Sequence, residues 1–166
     1  MGEVTDKVVR HAPCDLITVK LLGDRPIRRI LIPTAGSHHA TLAAEYVNIF
    51  RNYDGYEVTC CYVVKPDAKD HERDVARQLI YKTVRATGLT DKTEMLVLDG
   101  KRVATTLVKA AEDYDLLVLG ASREGIFSSV LFGDIPEKVA RYSHTPVMIV
   151  KRHEGRVKSI IKKLLG

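Results

Sequence analysis

A chain of 166 residues, 45% hydrophobic and 28% charged, can bury one well-packed core and is short for two. It has no apolar run near the roughly 20 residues of a membrane span, no leader-like N-terminus, and three cysteines (Cys14, Cys60, Cys61) that fit neither a disulfide framework nor a zinc spacing, so a reducing cytoplasm is expected. The net charge of +5 does not mark a nucleic-acid surface: the segment from Lys151 onward holds six cations and one anion, which leaves the body before it neutral.

Arg28-Arg29-Ile30-Leu31-Ile32-Pro33 predicts a short buried strand ended by Pro33 and Gly36, with Ser37 placed to cap a helix along which Leu42, Tyr46, Ile49 and Phe50 recur at helical spacing. Asp54-Gly55 is a turn. Glu57 to Val64, rich in β-branched and aromatic residues, predicts a second strand that closes at Lys65-Pro66, and a charged helix follows over 67–86. Met95 to Leu98 gives a third strand ending at Asp99-Gly100, and Val103, Leu107, Val108 and Ala111 put one apolar face on a third helix. Leu116 to Leu119 is a fourth strand. After the glycine-bearing segment Gly120 to Gly133, a helix over 135–142 leads to a fifth strand, Pro146 to Val150. Strands apolar along their whole length are buried on both faces, so the expected fold is α/β, a doubly wound parallel sheet of five strands with helices on both faces. In such sheets a ligand site opens at the carboxyl ends of the strands where the winding reverses, which singles out the loops Pro33 to Ser37 and Gly120 to Gly125.

The N-terminus repeats the end of this pattern without a gap, at an offset of 131 residues. Gly2, Lys7, Val8, Arg10, Val19 and Lys20 meet Gly133, Lys138, Val139, Arg141, Val150 and Lys151. The expected organisation is therefore a helix and strand left from a preceding similar domain over 1–20, a linker over 21–27, the main domain over 28–152 and a tail over 153–166. Leu16, Ile17 and Val19 are expected to pair with the edge strand of Val147, Met148, Ile149 and Val150.

Ile30-Leu31-Ile32-Pro33-Thr34-Ala35-Gly36-Ser37, with Leu42-Ala43-Ala44-Glu45-Tyr46, resembles the first-strand signature of the universal stress protein family. Asp115 to Gly120, Gly133-Asp134-Ile135-Pro136-Glu137-Lys138-Val139 and Pro146 to Val150 resemble its second half, so the resemblance runs from Arg28 to Arg152. It implies sheet order 3-2-1-4-5 and homodimers or tandem pairs through strand five. Domains of this family also occur as cytosolic tails of amino acid and ion transporters, sometimes in tandem. Many members bind ATP through G-x2-G-x9-G-[S/T], preceded by an aspartate after strand one. Here Gly120 and Gly133 keep the outer spacing, but Arg123 stands at the inner glycine, Asp134 at the hydroxyl and Ala35 at the aspartate. A carboxylate at a helix N-terminus takes the donors a phosphate would use and repels it. Arg123 also disfavours the positive-φ backbone that lets a ligand approach closely, with Gly125 two positions on as a partial substitute. Against this, an arginine beside a phosphate site could hold an anion in a rearranged loop. If ATP, ADP or AMP binds, the resemblance carries Pro33 and Thr34 to the base or ribose, Val63 to the adenine, and Gly120, Ala121 and Gly133 to the phosphates. The plain alternative for each is a turn or core role.

No enzyme is expected. Ser122, Ser128 and Ser129 have no placed base, the adjacent His38 and His39 point to different helix faces and suit solvated positions better than a metal site, and Cys60 and Cys61 suit packing. Val157, Ile160, Ile161, Leu164 and Leu165 among Arg156, Lys158, Lys162 and Lys163 predict a basic amphipathic helix, suited to docking on a protein face or to an anionic membrane. Two functions stand open: a non-enzymatic regulatory or sensor domain of a larger protein such as a cationic amino acid transporter, with a degenerate nucleotide site, and a free-standing ATP- or AMP-binding stress protein.

Overall fold

The computed structural model describes residues 7–8, 11–24, 26–49, 55–89, 93–121 and 134–153. In chain order the elements are β1 (Leu16–Lys20), β2 (Arg29–Pro33), α1 (His38–Asn48), β3 (Glu57–Val64), α2 (Asp70–Thr87), β4 (Thr93–Asp99), α3 (Val103–Ala110) running into a 3-10 turn (Ala111–Asp113), β5 (Leu116–Gly120), α4 (Asp134–Tyr142) and β6 (Val147–Lys151). The sheet order is β1-β6-β5-β2-β3-β4. Strands β2 to β6 are parallel, in the order expected of the five-stranded core.

The sheet nevertheless has six strands and is mixed, because β1 joins it antiparallel to β6, with Ile17 opposite Val150 and Val19 opposite Met148. An uncovered β6 would present a row of unpaired backbone donors and acceptors, and β1 satisfies them. Side chains lock the pair. The Lys20 ammonium donates to the Ala140 and Ser143 carbonyls at 3.0 and 2.9 Å, capping the C-terminus of α4, and the His153 amide donates to Asp15 Oδ1 at 2.7 Å.

Two cores flank the sheet. On one face Ile30, Ile32, Leu116, Val118, Met148 and Val150 pack against α1 and α2. On the other Leu31, Leu117, Leu119, Val147 and Ile149 pack against α3 and α4. The central strands are buried on both faces as expected, but β4 is not: it is an edge strand and Met95 is 52% exposed. Helix α2 begins at Asp70 rather than 67, because Pro66 to Ala68 form a turn in which the Ala68 amide donates to the Lys65 carbonyl at 3.0 Å. It ends at Gly88 with φ +71°, a left-handed cap. His39, in the first turn of α1, is buried rather than solvated, whereas His38 is exposed.

Candidate functional site

Strand β2 feeds α1 onto one face, while the chain reaches and leaves β5 through α3 and α4 on the other. The winding reverses between β2 and β5, and their carboxyl ends, Pro33 and Gly120, bound a crevice. There the described residues enclose a cleft of about 190 Å³.

Six of the ten expected nucleotide residues line it together: Pro33, Thr34, Ala35, Val63, Gly120 and Ala121. Arg123, Gly125 and Gly133 lie outside the described residues. Asp134 lies elsewhere, on a neighbouring groove beside Arg102, Val103 and Lys138. Sequence reasoning missed Cys61, Tyr62, Val103, Leu107 and Ile135 as lining residues. The two-residue period of β3 puts Cys61 on the face of Val63, a signal that could have found it.

The β2 loop is built by a chain of hydroxyls. The Gly36 amide donates to Thr34 Oγ1 at 3.0 Å, the Thr34 and Thr83 hydroxyls meet at 2.8 Å, and Thr83 Oγ1 donates to the Leu79 carbonyl at 3.1 Å. Thr83 has spent its proton on Leu79, so Thr34 is the donor between them. The Thr34 amide donates to the Cys61 carbonyl at 2.8 Å. Thr34 is 6% exposed and its hydroxyl is turned inward, holding the loop to α2 rather than offering a proton to a ligand. Gly36 turns the chain at φ +68°, and Ser37 caps α1 by accepting from the Ala40 amide at 3.3 Å.

Gly120 has a steric reason to be glycine. A Cβ built on it would stand 2.2 Å from the His39 carbonyl oxygen and 2.7 Å from the Ala40 amide nitrogen, so the first turn of α1 rests directly on the end of β5. The glycine that the resemblance carries to the phosphates thus also has a packing role in the fold.

Among the described residues no charged side chain lines the cleft. The Cys61 thiol on its wall is held neutral: burial first, and the neighbouring Cys60 second, raise its pKa. Burial alone pushes Cys60 from 9.0 up to about 12. Both thiols are expected to resist a disulfide reagent at pH 8 while exposed Cys14 reacts, so native protein should release one equivalent of chromophore and denatured protein three. Because the folded-state values lie above the unfolded one, the stability linked to these thiols is complete below about pH 9. It falls as pH rises from 9 toward 12, which urea titrations across that range would measure.

The neighbouring groove that holds Asp134 also holds the cations Arg102 and Lys138. Asp134 and Glu137 occupy the first turn of α4, and the Asp134 carboxylate holds Lys138 at 2.8 Å, neutralising that cation.

A universal stress protein family model matches residues 26–151. The chain belongs to the universal stress protein family. It is 29% identical over 149 residues to universal stress protein MJ0531 of Methanocaldococcus jannaschii, an overlap of 78% of this chain and 85% of that one. A universal stress protein solved in complex with cAMP superposes with a TM-score of 0.62 at 20% identity, over 76% of this chain and 99% of that one. A universal stress protein of Archaeoglobus fulgidus DSM 4304 superposes with a TM-score of 0.63 at 20% identity, over 92% of this chain but 56% of that one. These two likenesses show the shared fold. The described helices of this universal stress protein include none long and apolar enough to cross a membrane.

Proposed function

We propose that this chain is a non-enzymatic regulatory or sensor domain of universal stress protein type, in which the base side of the nucleotide site persists and the phosphate side is lost. The observation that carries the reading is the Asp134 carboxylate, ion-paired to Lys138 in the first turn of α4. It stands where the family motif has a hydroxyl residue, and a negative group at a helix N-terminus competes with a phosphate for the same donors. Incubated with ATP and Mg²⁺, the chain is expected to release phosphate no faster than buffer does. Sustained release proportional to protein concentration would overturn the non-enzymatic reading.

Residues 2–20 serve in this proposal as the closing helix and strand of a preceding domain, and the pair forms a cytosolic part of a larger protein such as a cationic amino acid transporter. The internal repeat and the basic segment from Lys151 onward support that setting. The four cations Arg156, Lys158, Lys162 and Lys163 can each add about 1 kcal/mol at an anionic surface. Vesicles containing anionic lipid should therefore retain the full chain better than one ending at His153, and equal retention would remove the membrane role.

A second reading has one observation in its favour. The chain shares its fold with a universal stress protein solved in complex with cAMP. A cyclic mononucleotide carries a single phosphate, so it asks less of the acidic end of the site than ATP does.

A further inference from the structure

Strand β1 pairs with β6 in a particular register. Thr18 lies opposite Ile149, its own equivalent at the offset of 131, and the pairs Ile17 with Val150 and Val19 with Met148 exchange under the same equivalence. This is the register of two copies of one strand meeting across a two-fold axis. The repeat extends into the preceding turn: the Ala12 amide donates to the Val8 carbonyl at 2.9 Å, as the equivalent Ser143 amide does to Val139 at 2.8 Å.

Burial breaks this symmetry. Val139, Met148 and Val150 are 0%, 5% and 0% exposed, covered on the sheet's α1 face or by α4 packing. Their equivalents Val8, Ile17 and Val19 are 51%, 44% and 46% exposed. Among the described residues, no helix covers over β1 the face that α1 covers over β6. Likewise β6 pairs on its other side with β5, in parallel from Leu117 to Gly120, while no described strand pairs with the outer edge of β1. The likeness to the longer Archaeoglobus protein, unlike that to the cAMP-bound one, covers 92% of this chain while leaving 44% of the other structure over.

We infer that the outer edge of β1 and the face of Ile17 and Val19 are a docking surface for the β5-type strand and α1-type helix of a second universal stress protein domain. That domain would use residues 2–20 as its own last helix and strand. The inference rests on the reading of those residues given above. An intact second copy of this chain cannot supply that β5-type strand, because its β5 is already paired with its own β6.

The test supplies the missing part. Residues 26–132 are added ahead of the full chain, with Phe132 running into Gly2 as it does into Gly133, in a Cys14→Ser background carrying Ile17→Cys or Val19→Cys. A control fusion adds 26–151, which brings its own last helix and strand. In the first fusion the introduced thiols are expected to react with a maleimide at least about tenfold more slowly than in the unfused chain, since a buried site reacts only through opening. In the control their rates should be unchanged. Unchanged labelling in a first fusion whose added body folds by circular dichroism overturns the docking surface alone. An added body that stays unfolded in the first fusion and folds in the control overturns the reading of residues 2–20 as well. Concentration-dependent protection in the unfused chain assigns the face to a second copy and also overturns the inference.

Discussion

Gly120→Ala is expected to destabilise the chain by about 1–3 kcal/mol and to lower its melting temperature by roughly 2–4 °C for each of those. The added methyl group would press on the His39 carbonyl at 2.2 Å and on the Ala40 amide nitrogen at 2.7 Å, and both are backbone atoms. They cannot yield as a side-chain tip would. Moving them drags the Ser37 cap and the hydroxyl chain from Gly36 through Thr34 and Thr83 to Leu79. Gly36→Ala is the informative comparison. Its methyl would meet the flexible tip of Leu79, so its cost should be near the roughly 1 kcal/mol of placing a side chain at φ +68°. Urea unfolding of the two variants measures the difference. A Gly120→Ala protein within about 0.5 kcal/mol of wild type would mean that α1 does not rest on β5.

Restoring the family motif is expected to give the largest functional effect. Asp134→Ser removes the carboxylate from the first turn of α4, leaves its amides free to donate, and releases Lys138 from its ion pair. Arg123→Gly returns the inner glycine and Ala35→Asp the acidic residue after the first core strand. The triple variant should bind ATP at least about a hundredfold more tightly than wild type, a factor worth roughly 2.7 kcal/mol. Asp134→Ser should supply most of that factor. Without ligand it should lose about 0.3–1 kcal/mol of stability, because an acidic residue at a helix N-terminus is favourable there. Added ATP should more than return that loss as a rise in melting temperature.

The core strands were legible because Ile30 to Ile32, Leu116 to Leu119 and Val147 to Val150 are apolar on both faces, and the crevice followed from where the winding turns. The alignment of Leu16 to Lys20 with β6 was legible in the repeat, but the six-stranded mixed sheet follows only when β1 is laid antiparallel beside it. Three features lay beyond local pattern. The resemblance carried Thr34 to the base or ribose of a bound nucleotide, with a turn or core role as the alternative, and its hydroxyl partner Thr83 lies 49 positions away on α2, too far for any local period to show. The resemblance carried Gly120 to the phosphates of a bound nucleotide, and the atoms that require its size belong to His39 and Ala40 on another element. His39 was read as solvated, and its burial depends on how closely α1 approaches β5, which that same glycine permits.

The proposed nucleotide site keeps its base side and has lost its phosphate side. Calorimetric titration of ATP, ADP and AMP into wild type and the Ala35→Asp/Arg123→Gly/Asp134→Ser variant, side by side, tests this most directly. Saturable ATP binding by the variant, with wild type showing none below about 1 mM, is the expected result. Micromolar binding of ATP by wild type would contradict it, since Asp134 would then have been accommodated and the domain would sense the triphosphate itself.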